Sequence, residues 1–261
     1  MSIEQSKVET APEMALEVPN GYINQYSYIG KRTGMPFQCA IRLSMGDKLT
    51  VINAARASFN KFHEKFDDMS DTRLLHFLAR EFHTMPFRHL HALFHFRLPE
   101  MVTRQLFRHQ IGAEYTSEHS FKDLPWSELS GRYVTYTDVY VPSVFYDQHT
   151  SKKQGASTTE SSRSTEFYYR ANDLMDQVRA LYNDMIEANV AREQARSILP
   201  MGTYTEFQTT WSMQAIVHFV HLRAKPDAQA EIQDVADVVH ELTKKEFGDA
   251  YTILHQYVAG G

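Results

Sequence analysis

Four residues that together can surround a phosphate fall within five positions of this sequence. The stretch SELSGRYV contains Glu128, Ser130, Gly131 and Arg132. A serine hydroxyl, backbone N–H groups made accessible by glycine and an arginine guanidinium are all donors that bind phosphate oxygens. The stretch therefore predicts an anion-binding site.

Further polar residues extend this pattern elsewhere in the chain. In TRQLFRHQ, Gln105 and Arg108 share one helical face, with His109 adjacent, while Arg196 precedes LPMG and Arg223 lies in HFVHLRAKPDAQAEI. A single arginine is usually a solvated charge, and Arg223 alone could be a cap that offsets the dipole of its helix. It is the set, rather than any one member, that indicates an anion site.

Histidine is frequent, with 13 residues, and clusters before and within one apolar segment. The cluster comprises His76, His83, His89, His91 and His95. A zinc or iron site requires three converging ligands, commonly paired histidines with a carboxylate, and HTMPFRHLHALFHF offers no such carboxylate pair. We interpret these histidines as structural or substrate-contacting and predict no metal site. A metal hydrolase is the least favoured alternative.

Composition limits the class of protein. The chain has 261 residues, 43% of them hydrophobic, a net charge of −5 and a single cysteine, Cys39. The negative charge argues against a nucleic acid polymer as partner, although a mononucleotide is allowed. No Gly-rich phosphate loop, Rossmann fingerprint, signal peptide or membrane span is recognised. We expect a cytoplasmic protein, located in the host cytoplasm if the source is a virus.

The elements that would position these residues follow from periodicity. We predict a mobile N-terminal arm over residues 1–20 and a single domain over 21–261. Strand-like patterns cover two short runs between 21 and 44, then 91–98, 133–141 and 204–210. Helical spacing covers 49–62, 72–82, 99–109, 166–196, 213–222 and 228–247. Periodicity alone thus gives an α-rich α+β fold.

Several boundaries are predicted from single residues. Ser70 and Asp71 are candidate caps of the second helix, and Pro86 is expected to end the helical region. Pro99 is placed in the first turn of the third helix. Residues 112–130 and 151–164 are expected to be loops, the latter a surface loop, lid or hinge.

Taken in order, the motifs resemble those of the flavin-dependent thymidylate synthase (ThyX) family over about residues 40–250. The matching text is AARASFN, H-x-x-PFRH, RQLFRHQ, ELSGRYV, AREQARSILPMGTYTEF and HFVHLR followed by AQAEI. The family signature is R-H-R-x-x-S-x-N-E-x-S-x-R. Arg108 and His109 match its opening, and Glu128, Ser130 and Arg132 match its end, with an insertion at 114–127 between them.

The resemblance implies roles for the polar residues identified above. Residues matching the uridylate-binding positions are Gln105, Arg108, Glu128, Ser130, Gly131, Arg132, Arg196 and Arg223. Arg223 would be the catalytic residue, placed at the uracil edge to favour ionisation at N3. Cys39 lies in no nucleophile context, which agrees with a route that uses a reduced flavin instead of a thiolate.

The cofactor positions match less well. The resemblance implies FAD contacts from His83, Met85, Arg108, His109, Gln110, Glu128, Ser212, Met213, Gln214 and His218. Met85, Arg88, Gln110 and Gln214 replace the residues usual in the family, so we expect weaker affinity for FAD or an altered geometry. NADPH and methylenetetrahydrofolate would be co-substrates.

The resemblance also implies an α+β fold of helices with an antiparallel sheet, and a homotetramer whose sites draw on several subunits. The leading function is reductive methylation of dUMP. The alternatives are hydroxymethylation of the same nucleotide and a degenerate homologue that binds a nucleotide without turnover.

Overall fold

The computed structural model describes residues 27–109, 126–150 and 155–260. The helices in these ranges are α1 (Lys48–Arg56), α2 (Ser70–Arg80), α3 (Glu100–Leu106), α4 (Ser164–Glu187), α5 (Arg192–Ala195), α6 (Met213–Arg223), α7 (Ala230–Phe247) and α8 (Asp249–Ala259). The strands are β1 (Ser27–Ile29), β2 (Pro36–Met45), β3 (His91–Pro99), β4 (Trp126–Glu128), β5 (Tyr146–Gln148), β6 (Ala156–Glu160) and β7 (Tyr204–Ser212). The predicted arm over 1–20 lies outside the described residues.

Five strands form one antiparallel sheet in the order β1-β2-β3-β7-β4. The central strands β3 and β7 pair along their whole length, from His91 opposite Ser212 to Pro99 opposite Tyr204. Each continues into a helix without a loop, β3 into α3 and β7 into α6. A separate pair is formed by β5 and β6. The predicted α+β class with an antiparallel sheet is confirmed.

One face of the sheet carries the aromatic core. Phe96 stacks on Phe207 with ring centroids 5.2 Å apart, and Trp211 lies 5.1 Å from Phe219 of α6. Full burial of such side chains stabilises the fold by roughly 1.5–3 kcal/mol each. The opposite face carries His91 and His95, as the alternation of β3 predicts.

The helix α7 confirms its sequence pattern. Ile232, Val235 and Val239 are fully buried against the core. The predicted helices at the positions of α1, α2, α3 and α6 and the predicted strands at β3 and β7 are also present, with ends that differ by a few residues. The helix α8 was not predicted. It begins directly after Gly248, whose φ of 52° separates it from α7.

The cap prediction for α2 was wrong. Ser70 is the first helical residue, and its N–H donates to Asp67 Oδ1 at 2.6 Å. Asp71 is fully buried, and its carboxylate is hydrogen-bonded to Arg56 Nη2 at 2.6 Å and to His63 Nδ1 at 2.9 Å. The carboxylate that looked like a cap therefore joins α2 to α1, because a buried charge requires partners.

The long helix predicted over 166–196 is two helices. α4 ends at Glu187, Asn189 adopts a φ of 60°, and the backbone N–H of Val190 donates to Met185 O at 2.9 Å. Asparagine tolerates this left-handed conformation, which ends a helix while the apolar spacing continues past it. Apolar residues recur at steps of three and four along α4 and form a stripe, and two of them, Leu174 and Leu181, are 53% and 51% exposed in the described chain.

Three smaller boundary predictions also require correction. Pro86 lies inside a 3₁₀ turn, Met85–His89, after α2 has already ended at Arg80. The β-rich segment 133–141 forms only a single bridge, from Val139 to Thr203. The predicted loop 151–164 contains β6. Within the described ranges, none of the helices combines the length and the apolar character needed to cross a bilayer.

Candidate active site

The ends of α3 and α6 meet through Arg223 and His109. Arg223 Nε donates a hydrogen bond to His109 Nε2 at 2.8 Å, so His109 is neutral and carries its proton on Nδ1. Burial first, and then the charges of Arg223 and His218, lower the pKa of His109 to about 4. Because His109 accepts a hydrogen bond only from Nε of Arg223, the two terminal nitrogens of the guanidinium remain available to other acceptors.

Among the described residues, no carboxylate neutralises the positive charge at this corner. Burial and the neighbouring charge of Arg108 lower the pKa of Arg223. Within the described ranges, Arg108, Arg132, Arg196 and Arg223 form no salt bridge, whereas Arg32, Arg56, Arg97, Arg104 and Arg163 pair with carboxylates. These four predicted site residues therefore retain their charge for an external anion.

Gln105 connects this corner to the start of α7. Its Nε2 donates to Gln229 Oε1 at 2.6 Å, and Gln229 Nε2 donates to Glu231 Oε2 at 2.9 Å. Glu231 is 9% exposed, so this relay is anchored in the protein interior. Gln105 is therefore held in one orientation at the mouth of the corner.

A second group of predicted residues lies at the end of β4. Glu128 pairs with Phe207 in the sheet and accepts a hydrogen bond from Thr205 Oγ1 at 2.8 Å. The turn that follows brings Ser130 Oγ to 3.4 Å from the backbone nitrogen of Arg132. The residues of the SELSGRYV stretch thus form one compact turn.

Gly131 is required in this turn because of Tyr136. A Cβ atom at position 131 would lie 2.5 Å from Tyr136 Cε2, closer than real Cβ atoms approach. Burial, followed by the charges of Glu128 and Glu100, raises the pKa of Tyr136, and Arg196 acts in the opposite direction. These electrostatic effects place Arg196 beside the turn, although the two are far apart in sequence.

The two groups are joined by α3. Glu100 begins α3 beside Glu128 and Tyr136, and Arg108 and His109 follow its last residue, Leu106. A helix of seven residues is about 10 Å long. The two groups therefore lie at opposite ends of a helix of about this length.

Predicted cofactor residues lie along α6. Ser212 caps the helix, with its Oγ accepting from Ala215 N at 3.3 Å, and Gln214 and His218 are exposed one turn apart. Met213 is fully buried in the hydrophobic core, and its backbone N–H donates to Leu90 O at 2.8 Å. Gln214 and His218 thus present one polar face to a ligand, while the Met213 side chain does not.

A pocket of about 360 Å³ lies between the start of α6 and the 3₁₀ turn before β3. It is lined by Met85, Arg88, His89, His91 and Ser212. The Nδ1 atom of His91 is buried and has no hydrogen-bond partner among the described residues. Because that atom is not accessible from the pocket, the donors that the pocket offers a ligand are the Arg88 guanidinium and the His89 imidazole.

The donor set of this pocket fits a flavin nucleotide. Guanidinium, imidazole and hydroxyl groups bind phosphate and carbonyl oxygens, and the Met85 thioether offers an apolar contact. His83 lies next to the pocket in sequence, with its ring edge-on to Phe77 at 5.9 Å. Gln110, also predicted to contact the cofactor, lies outside the described residues.

Some residues of the site were missed by the sequence reasoning. Gln229 lies in the AQAEI motif, which was recognised but given no role. Tyr136 and Thr205 had no signal in the sequence, because their relevance depends on contacts across the fold. His91 was included in the histidine cluster, and only the pocket distinguishes it. Within the described residues, no group of three His, Cys, Asp or Glu side chains could hold a metal ion.

Comparisons with known proteins identify the family to which this sequence is similar. A family model described as "Thymidylate synthase complementing protein" matches residues 41–247. The flavin-dependent thymidylate synthase of Thermotoga neapolitana is 31% identical over 218 residues, which covers 83% of this chain and 90% of that protein. The enzyme of the same name from Thermus thermophilus is 29% identical over 221 residues, 83% of this chain and 75% of that protein.

A solved structure shares the fold. It is a UMP/dUMP methylase, PolB, from Streptomyces cacaoi bound with 5-Br dUMP. It superposes with a TM-score of 0.69 at 24% identity, covering 85% of this chain and 96% of that chain. At this level of identity the similarity shows the fold alone.

Proposed function

The chain belongs to the thymidylate synthase complementing protein family, as its sequence motifs predicted, and we propose that it methylates dUMP by the full flavin-dependent reaction. In this reaction dUMP, methylenetetrahydrofolate, NADPH and a proton give dTMP, tetrahydrofolate and NADP⁺. The enzyme is a flavin-dependent thymidylate synthase that acts on dUMP. The roles of individual residues and the identities of the co-substrates are our proposals.

The observation that carries this proposal is the corner formed by Arg223 and His109. The terminal nitrogens of Arg223 can donate to O4 or O2 of uracil and stabilise negative charge at N3, because no carboxylate among the described residues competes for them. His109, kept neutral, fixes the orientation of the guanidinium. Arg223 is therefore the residue that activates the base.

At the other end of α3, Arg132 and Arg196 bind the phosphate, with Ser130 and the backbone N–H groups around Gly131. Gln105, held by Gln229, and the Glu128 carboxylate contact the sugar between the two ends. Arg108, which lowers the pKa of Arg223 through its charge, adds to the positive potential over the nucleotide. This assignment uses each of the unpaired arginines of the site.

The flavin is FAD in this proposal. When bound and reduced it supplies the hydride, while the folate supplies the methylene carbon. Its phosphates and ring oxygens are held by the pocket of Arg88, His89, His91 and Ser212, together with Gln214 and His218 on α6.

We also propose that the active form is a homotetramer. The stripe on α4 that includes Leu174 and Leu181 is apolar and exposed, which is typical of a surface that a second copy covers. Sedimentation velocity of the purified protein would test this. A monomer at micromolar concentration would contradict it.

The function is tested by incubating the protein with dUMP, methylenetetrahydrofolate, NADPH and FAD and weighing the nucleotide product by mass spectrometry. We expect dTMP as the product. When the protein has first been freed of flavin, leaving FAD or NADPH out of the assay should abolish dTMP formation. A hydroxymethyl product would identify the hydroxymethylase alternative, and dUMP binding without turnover would identify the degenerate homologue.

A further inference from the structure

One aromatic residue of this chain adopts a backbone conformation that bulky residues avoid. In the described residues, positive φ angles outside glycine occur at Asn60 (52°), Phe82 (54°) and Asn189 (60°). Asparagine tolerates the left-handed region because its short polar side chain can bond locally, but a bulky side chain there is strained. Phe82 is therefore the exception among the three.

The conformation of Phe82 is fixed by the way α2 ends. The N–H of His83 donates to Leu78 O at 2.8 Å, and the N–H of Phe82 donates to Ala79 O at 3.2 Å. This pair of bonds is the Schellman motif, in which the left-handed position is normally glycine. The helix end would form at least as well with glycine, so the phenyl ring does not serve the turn.

The end of α4 provides an internal comparison. The N–H of Val190 donates to Met185 O at 2.9 Å, and the N–H of Asn189 donates to Ile186 O at 3.0 Å. The same two bonds thus form around Asn189, without a bulky side chain. Asn189 is not among the residues of the candidate site, which makes it a matched control.

Burial does not account for the ring either. Phe82 is 60% exposed, and Met85 on the same turn is 57% exposed. A core side chain can offset backbone strain through its packing, but an exposed ring gains little within its own chain. Neither the turn nor burial within the described chain therefore accounts for the ring.

The neighbourhood of Phe82 indicates the chemistry of a contact that would account for the ring. Met85, which follows Phe82 by three residues, lines the pocket together with Arg88, His91 and Ser212. This pocket offers the Arg88 guanidinium and the His89 imidazole as donors for anionic and carbonyl oxygens. A ligand that meets both features has a flat ring and an anionic or oxygen-rich part.

We propose that Phe82 is a stacking platform for the flat heteroaromatic ring of an anionic cofactor or co-substrate in this pocket. The inference rests on the proposed function, which supplies three sources of such a ring: FAD, the folate and NADPH. Phe82 is then a binding residue that acts through its aromatic ring, and the strained conformation at the end of α2 is retained because of that contact.

The test compares Phe82→Gly, Phe82→Trp and the control Asn189→Gly in the full chain. FAD affinity is measured by flavin fluorescence quenching, and KM is measured separately for methylenetetrahydrofolate and NADPH. We expect Phe82→Gly to weaken one of these constants by about tenfold or more, the scale of stacking on one aromatic ring, while Phe82→Trp retains it. Asn189→Gly should leave all three unchanged.

Thermal melts complete the test. Relief of the strained conformation should raise the melting temperature of Phe82→Gly by about 2–4 °C, whereas Asn189→Gly should show no rise. The ligand whose constant changes identifies the source of the ring.

Three results would overturn the inference. Unchanged FAD affinity and KM values in Phe82→Gly would show that Phe82 is not a stacking platform, and the proposed function of the wild type would still stand. A changed sedimentation coefficient with unchanged constants would assign the ring to a contact between subunits. A wild-type protein that neither binds FAD nor forms dTMP would overturn the proposed function and this inference together.

Discussion

At the scale of single residues, the proposed activation of the base depends on the orientation of one guanidinium. Arg223 is the last residue of α6, where a helix-capping role was the simplest interpretation, but its Nε bonds to His109 instead. An arginine held at Nε presents two parallel donors from its terminal nitrogens, and lysine cannot reproduce them.

Arg223→Lys should therefore keep the fold and lose activity. Because the contact strengthens as negative charge develops on the uracil, we expect turnover to fall by about 10²-fold or more, with a smaller change in dUMP affinity. Tritium release from 5-tritiated dUMP measures turnover, and a thermal melt of the same variant reports its stability. Near-normal release with a lowered melting temperature would leave Arg223 only a capping role.

Single residues also show what the sequence could and could not reveal. The arginines of the site were recognisable because they recur beside Ser, Gly and Gln in short motifs. Gln229 had a motif but no assigned role, since only the contact with Gln105 shows its purpose. Tyr136 had neither a recognised motif nor an assigned role, because its position over Gly131 depends on the path of a segment without regular structure.

At the scale of elements, the turn after β4 depends on a missing side chain. Gly131→Ala would place a Cβ atom 2.5 Å from Tyr136 Cε2, and the tyrosine ring would have to move. Overpacking of this kind costs about 1–3 kcal/mol. We expect dUMP affinity in a calorimetric titration to fall by about 1–2 kcal/mol, because the displaced ring borders Arg196.

A double-mutant cycle distinguishes this explanation from a general loosening of the turn. Once Tyr136→Ala removes the ring, adding Gly131→Ala should have little further effect on dUMP affinity. Equal losses in both backgrounds would show that the glycine acts through its backbone rather than through the space it leaves.

The elements themselves were predictable where one face is buried. The strands β3 and β7 and the helices α6 and α7 match their patterns because tertiary packing and periodicity agree there. The break after α4 was not predictable from spacing, since Asn189 ends the helix while the apolar repeat continues. Asp71 was misread because a cap and a buried ion-pair partner have the same local sequence.

At the scale of the whole molecule, the sheet face opposite the core makes stability sensitive to acid. His95 is 7% exposed, and burial, followed by the charge of Arg42, lowers its pKa from 6.5 to about 4. Glu206, whose carboxylate lies 3.8 Å from His95 Nε2, is the facing acid. Between pH 6.5 and 4 the unfolded chain binds the proton more tightly, so the free energy of unfolding falls as the pH falls through this window.

His95→Gln should flatten that dependence. Removing one histidine shifted by this amount should reduce the loss of stability between pH 7 and pH 4.5 by on the order of 2–3 kcal/mol. Urea denaturation at several pH values measures the free energy of unfolding. A variant whose profile runs parallel to that of the wild type would show that His95 does not carry the effect, leaving His109 and His255, whose pKa values are also lowered by burial.

Because β3 continues directly into α3 and β7 directly into α6, the lengths of these helices set the positions of the residues at their far ends. Because the two strands are antiparallel, the two helices start from opposite ends of the sheet, and α6 needs its 11 residues to bring Arg223 to His109. Each residue of an α-helix adds about 1.5 Å and turns the next side chain by about 100°. Deleting one residue from α6 would therefore turn Arg223 away from His109 while leaving its composition almost unchanged. The length of α6 is thus as important for placing Arg223 beside His109 as the identity of any side chain on the helix.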